Sequence, residues 1–430
     1  MSTNLSAKFS ESLTERGRNQ KRHRKLTWPW ILLLVAGGLL LLSALRVVTG
    51  VDSLTSFGVY STALSWAVPI GLAGLGGLWS ERAGVINIGL EGMMVMGTFT
   101  AGWIGWQHGP WAAVVAGMLG GALGGLIHAL ATVTFGVDHI VSGVAVNILA
   151  LGLTQFLAKL WFAAPGSEAA AVGGNDRQSP KIEDMSQFSV PWLADGLRSL
   201  EEQNWFFVSD TAGIARAAVD GVSWVTLLAA GLFVLTFFVL WRSSFGLRLR
   251  SCGENPVAAE SLGVNVYTYK YAAITMSGAL AGLGGAFLAL YVHYYQEGQT
   301  GGRGYIGLAT MIFGNWRPGG VAMGAGIFGF MDGTQLRGGG PTIHALLLVF
   351  AVLLVGYGLW KLYKGSRNAG LVAVTFGVAV ALWYAVTDTV PRELVEASPY
   401  LTTLLVLCLA TQRLRVPKTI GKPYRKGQGT

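Results

Sequence analysis

The sequence predicts an all-α fold, a polytopic helical membrane protein with about eleven spans and one short or re-entrant segment. Three observations carry that expectation. The 430 residues are 52% hydrophobic and only 12% charged, against roughly 25% charged in soluble domains. The mean hydropathy is +0.49, and the 61 glycines suit transmembrane helices, where glycine is commoner than in soluble ones. Apolar stretches long enough to cross about 30 Å of hydrocarbon recur along the whole chain.

The first stretch, 29–49, follows a basic segment as a secretory signal would. It is too long for one, and no A-x-A site follows, so it reads as a retained span. Further spans are expected at 57–79, 84–105, 111–134, 140–162, 222–241, 267–291, 319–336, 343–360, 370–389 and 397–412, with 304–315 as the short crossing. Residues 1–28 and 413–430 then form basic tails around a permeation-type domain at 29–412. Seven Lys/Arg against two Glu in 1–30, and six Lys/Arg without an acid in 411–430, place both tails on the cytoplasmic side by the positive-inside rule. The connection 163–221 holds nine acids against four bases. It falls outside, and its polar, turn-rich composition predicts a mobile loop, with "WLADGL" and "NWFF" as short interfacial pieces. Tryptophans such as Trp79, Trp161 and Trp241 sit near expected span ends, where amphipathic rings anchor in the headgroup layer.

Glycine spacing predicts how the helices pack. Gly117, Gly121 and Gly125 repeat every four residues beside Gly120 and Gly124, and the pairs Gly278/Gly282, Gly320/Gly324 and Gly329/Gly333 repeat the pattern. Such stripes let backbones approach closely. Several function classes are excluded or disfavoured. There is no P-loop, no H-E-x-x-H, no G-x-S-x-G and no Cys/His cluster, hence no catalytic residues and no metal site to assign. Cys252 and Cys408 make no motif. The basic tails read as topology signals, with no nucleic-acid partner.

Two polar stretches interrupt the apolar background. In "ERAGVINIGLEG", residues 81–92, a helix over 84–105 would set Asn87 and Glu91 four apart on one face. Ionisable groups in a span face a cavity or a partner, so Glu91 either bonds a neighbouring helix or lines a path. Glu81 and Arg82 read as an interfacial ion pair. Asn147 and Gln155 form a second polar stripe, open to the same two readings. In "FGLRLRSCGENPVAAESLGVNV", residues 245–266, Asn255 suits a helix cap, Pro256 its first turn and Gly263 its end. A helix of about seven residues, "PVAAESL", is expected across the inner face, its two alanines presenting a smooth surface.

These two stretches, followed by "RGYIGLATMIFGNWRPGG" and "GKPYRKG", resemble the membrane permeases of ABC importers. The resemblance is to the branched-chain amino acid and simple-sugar type, a type II importer fold, and within it to nucleoside permeases. It implies that Gly253, Glu254, Asn255, Pro256, Ala258, Ala259 and Gly263, in a cytoplasmic loop 246–266, form the coupling helix that docks into an ATP-binding subunit. It also implies that the Asn87–Glu91 region lies near the substrate path, to which the polar stripe of Asn147 and Gln155 is also assigned. The expected partners are a sister permease (as a homo- or heterodimer), the ATP-binding subunit, an extracytoplasmic solute-binding protein and the lipid of a bacterial inner membrane. The chain would hold no cofactor itself, ATP and magnesium belonging to the motor subunit. Two features depart from the pattern, a longer acidic loop at 163–221 and an added helical hairpin at 343–389. The reading is thus a permease subunit for nucleosides or related polar solutes. A simple-sugar permease stands as the alternative, and an ion-coupled transporter using Glu91 and Asp332 as the rival from another class. An intramembrane enzyme is disfavoured.

Overall fold

The computed structural model describes residues 28–410 and 414–427. The amino-terminal basic tail, except Trp28, lies outside the described residues. Helix α1 (Trp28–Thr49) leads through a 3-10 turn at Asp52–Thr55 to α2 (Phe57–Arg82). After an irregular stretch come α3 (Leu90–His108), α4 (Pro110–Ala129, continued by a π turn to Thr134) and α5 (His139–Trp161). The connection that follows contains α6 (Glu168–Ala171), β1 (Gln187–Phe188), α7 (Pro191–Glu202), α8 (Val208–Arg216) and β2 (Val222–Ser223). The rest runs through α9 (Trp224–Arg242), α10 (Ser244–Glu254), α11 (Pro256–Ser261), α12 (Val266–Val292) and α13 (Arg303–Phe313). It closes with α14 (Pro318–Gly333), α15 (Gly339–Tyr363), α16 (Arg367–Val386) and α17 (Arg392–Ala410).

The protein is a helical, multi-pass membrane protein, as expected, but eleven separate spans are not confirmed. Seven helical stretches among the described residues are long and apolar enough to cross, with α14 and α15 forming one of them. The difference lies in broken helices. The expected span at 84–105 starts six residues late, at Leu90. The short crossing is an eleven-residue helix, α13, only about 16 Å long at 1.5 Å per residue. The chain reverses between α14 and α15, where Gly339 takes a φ of 63°. Beyond that point α15 returns along α1, with Ala345 packed on Leu45 and Leu54.

Glycine contacts set the centre of the bundle. A Cβ added to Gly278 would lie 2.2 Å from the Gly121 carbonyl oxygen, and one on Gly282 would lie 2.2 Å from that of Gly117. On the other side of α12, a Cβ on Gly285 would meet the Met94 carbonyl oxygen at 2.2 Å. Gly329 and Gly333 of α14 pack likewise on the backbone of Ala63 and Val59. The spacing read from the sequence is therefore the spacing of backbone contact. Around these crossings Leu72, Leu75, Leu283, Ala286 and Met311 form the largest apolar core.

The 163–221 connection is folded onto one end of the bundle, contrary to the mobile loop expected. Backbone bonds seat it: Ser179 N–H donates to Tyr295 O at 3.0 Å, Ile182 to His293 O at 2.7 Å, and Glu297 to Arg177 O at 2.8 Å. The two short strands pair antiparallel, Gln187 with Ser223 and Phe188 with Val222, a small exception to an all-α chain. Asp210 of α8 is buried, accepts from Thr55 Oγ1 at 2.5 Å and pairs with Arg46 of α1 at 3.0 Å. Trp192, Trp205 and Phe206 stay exposed on this cap.

Gly278→Ala should force α4 and α12 apart. A methyl group at that contact has no room, and overpacking costs about 1–3 kcal/mol or more. Gly152→Ala is the control, since nothing lies within 4 Å of its added Cβ. Thermal unfolding in detergent should show a lowered midpoint for the first and an unchanged one for the second.

Candidate functional site

Two helices begin inside the bundle rather than at its ends, and their first turns meet. Glu91, in the first turn of α3 and only 8% exposed, reaches the start of α13. Its Oε1 accepts from Gly302 N–H at 2.9 Å and its Oε2 from Gly304 N–H at 2.7 Å. A helix N-terminus carries unsatisfied donors and partial positive charge, and one carboxylate here faces two of them. Gly304 must be glycine for this approach, because its Cβ would sit 2.6 Å from the Glu91 Cα.

The irregular segment before α3 is held the same way. Asn87 does not share a helix face with Glu91, as the sequence suggested, because it precedes α3. Its side chain is fully buried, donating to Ser277 Oγ of α12 at 2.9 Å and accepting from Gly89 N–H at 3.0 Å. Asn147 of α5 accepts from Gly92 N–H at 2.7 Å and donates to Ile88 O at 3.1 Å and Tyr305 Oη at 2.9 Å. His128 bonds Ile86 O at 3.0 Å and Ser142 Oγ at 2.8 Å. Gln155 stands apart, exposed and donating to Glu297 at 2.6 Å beneath the cap. Thus the structure brings Asn87, Glu91 and Asn147 together around broken backbone and leaves Gln155 elsewhere. Non-helical backbone at membrane depth persists only where it is buried in protein or lines a water-filled cavity, which answers why so greasy a chain keeps polar groups there.

At the opposite end from the cap, α11 forms as the sequence predicted. Asn255 Oδ1 accepts from Ala258 N–H at 3.0 Å, Pro256 occupies the first turn, and Gly263 follows the helix with φ of 81°. The two alanines, however, do not share a face. Ala258 is exposed, whereas Ala259 packs with Cys252 and Val266. Pro256 and Gly253 also face inward, the outward side being Glu254, Asn255, Val257, Ala258 and Leu262. Leu262 is 84% exposed, an unusual setting for so apolar a side chain. Burial pushes the Cys252 thiol up to about 11, with Lys270 opposing the rise. The Cys408 side chain lies outside the described residues.

Residues 414–427 are no free tail. They cross beneath α11 as a strap: Thr419 Oγ1 donates to Gly253 O at 2.7 Å, Gly421 N–H to Gly84 O at 3.2 Å, and Tyr424 Oη to Glu260. Burial and the Glu260 carboxylate hold the Tyr424 phenol above its ordinary range. Glu81 and Arg82 do not form the expected ion pair. Glu81 accepts from Trp316 Nε1 at 2.6 Å, and Arg82 Nη2 donates to Trp316 O at 2.6 Å. Together they fix the turn between α13 and α14.

Residues 59–357 match the family described as branched-chain amino acid transport system/permease component. The chain belongs to this permease family. It is 32% identical to the guanosine ABC transporter permease protein NupQ of Bacillus subtilis, over 86% of this chain and 97% of that protein. It is 34% identical to the nucleoside ABC transporter permease protein NupC of Lactococcus lactis subsp. cremoris, again over 86% and 97%. Within the permease, α16 lies beyond the matched residues and packs on α15, Gly358 against Val374 and Gly370, in the place of the hairpin expected at 343–389.

Sequence reasoning missed Trp316, Ser277 and the Gly302 and Gly304 amides as partners. It quoted the strap's "GKPYRKG" without assigning it a place. The motifs quoted at 303–320 and 421–427 held Gly304, Trp316 and the strap, but nothing local paired them, since the partners lie about 190 residues or more away in sequence from the groups they satisfy.

Glu91→Ala should strand both amides at a cost of about 1–3 kcal/mol for each buried donor. Glu91→Gln, keeping one acceptor, should cost less. Thermal unfolding of the purified permease in detergent should rank wild type above Gln above Ala. A shift in apparent solute affinity with unchanged stability would show that Glu91 contacts solute instead.

Proposed function

We propose that this permease is the membrane subunit of an ATP-driven importer for nucleosides or related small polar solutes. The observation that carries the reading is the α11 platform. A six-residue helix too short to pack as a core element is capped at both ends, supported from behind by Gly253, Gly84 and the strap, and turned outward with Val257, Ala258 and Leu262. Exposed apolar residues on a rigid support mark a docking surface. The proposed occupant is an ATP-binding subunit that carries the nucleotide and magnesium, this chain holding no cofactor. The nucleoside assignment is supported by the names of the two relatives.

In this reading the platform end is cytoplasmic and carries the basic tails, and the acidic cap faces the extracytoplasmic side, towards a solute-binding protein. Two permease chains, this one and a sister, enclose the path. Closure of the motor subunits moves α11, which is linked through Gly253 to the loop before α3 and, by way of Glu91, to α13. Alternation between inward and outward forms then follows from a bias on one connected unit. Asn87, Glu91 and Asn147 serve the path by holding the broken helices that border it.

Uptake into vesicles holding the assembled transporter should require ATP and persist when ion gradients are collapsed. Uptake that needs a gradient and not ATP would support an ion-coupled carrier. Ala258→Arg should lower ATP-dependent uptake at least about tenfold while the permease still extracts as a folded protein. Ala259→Arg should instead destabilise the permease, because that site is buried.

The orientation has its own test. Cysteines introduced at the exposed positions Ser186 and Ser366 sit on opposite ends of the bundle. In intact cells a membrane-impermeant maleimide should label the first and not the second, and the reverse pattern would invert the topology.

A further inference from the structure

A second polar cluster is used neither by the platform nor by the joined helices. Between the start of α13, the end of α14 and α17 lies a cavity of about 340 Å³, lined in part by Arg303, Asp332, Gln335, Glu396 and Tyr400. The Arg303 guanidinium stacks 3.9 Å from the centre of the Trp66 ring, donates through Nη1 to Thr300 O at 3.2 Å, and lies 3.5 Å from Asp332 Oδ2. Asp332 is only 5% exposed, yet its Oδ2 accepts no hydrogen bond, and Arg303 Nε donates none among the described residues. A buried ion pair is favourable only when its remaining donors and acceptors are satisfied. Both atoms are themselves enclosed, so the pair is incompletely bonded at its back, while other parts of the same two side chains line one cavity.

Charge selects the ligand class. An anion would meet the carboxylates of Asp332 and Glu396, and a cation would meet Arg303. A neutral solute with neighbouring hydroxyls suits the set, since each hydroxyl both donates and accepts. One hydroxyl can donate to Asp332 while its neighbour accepts from Arg303, with the Gln335 amide beside them. Tyr400 Oη, bonded to Gly301 O at 3.3 Å, edges the mouth. The volume lies at the lower end of ordinary small-molecule sites, enough for a sugar ring. Because Gly302 and Gly304 hold Glu91 on the other face of the same turn, a solute here would touch the start of α13 directly.

We propose that this cavity binds the vicinal diol of a neutral polyhydroxyl solute, for a nucleoside its ribose, with Asp332 and Arg303 as the recognising pair. The proposal rests on the nucleoside-permease reading and specifies what that permease recognises. The test uses the complete transporter in cells, with labelled guanosine uptake competed by unlabelled guanosine, 2′,3′-dideoxyguanosine and guanine. A site built to bond a hydroxyl rejects the analogue lacking it strongly, so wild type should need at least about tenfold more of the dideoxy competitor than of guanosine. Asp332→Asn should shrink that ratio towards one. Gln335→Ala, which leaves the ion pair intact, should raise the guanosine concentration for half-maximal uptake while expression stays normal. Wild-type discrimination retained in full by both variants would overturn the cavity assignment and leave the permease reading standing. No guanosine uptake by the wild-type transporter would overturn the nucleoside reading, and the ribose assignment with it.

Discussion

The carboxylate of Glu91 is the point on which the rest of the bundle depends. Two helices, α3 and α13, start in the protein interior, and each brings amide groups that no membrane lipid can satisfy. A single side chain accepts from Gly302 and Gly304 while sitting in the first turn of its own helix. Once that junction exists, the segment before α3 must also be satisfied, and Asn87 does so from within it, with His128 of α4 and Asn147 of α5 from outside. The polar residues in an otherwise apolar region are consequences of breaking two helices. The breaks in turn place a helix start beside the Arg303–Asp332 pair.

Close backbone approach makes this arrangement possible. Ser277 reaches the 83–92 segment because α3, α4 and α12 touch through glycine, at Gly97, Gly117, Gly121, Gly278 and Gly282, and Asn147 because α5 approaches it at Gly92 and Gly143. Larger residues at these positions would hold the helices apart by ångströms, and hydrogen bonds of 2.7–3.1 Å would be lost with them. Dispersion packing and polar bonding are therefore not separate sources of stability here. The first sets the distance at which the second operates.

What the sequence disclosed follows the range of each interaction. The ends of α11 were legible because a cap bonds three residues away, Asn255 to Ala258, and because Gly263 needs only its own φ. The glycine stripes were legible for the same reason, being local patterns with one steric meaning. The start of α3 was not, since nothing in "AGVINIG" says that His128, Asn147 and Ser277 will satisfy it as a loop. Ala259 turns inward onto Cys252 and Val266, and Tyr424, more than 160 residues on, packs against the same cluster. Composition also misled at 163–221, where polarity suggested mobility but main-chain bonds to residues 293–297 seat the segment. For the short capped helix local chemistry left a surface loop and a docking element both open, and the docking role proposed above came from the family resemblance.

The strap at 414–427 has a consequence for how the protein is made. It is made after α17, yet it buttresses α11, a segment made some 160 residues earlier, through Gly253, Glu260 and Gly84. The short helix therefore receives this support only after α12 to α17 have been made, and a chain released before residue 414 carries α11 without it.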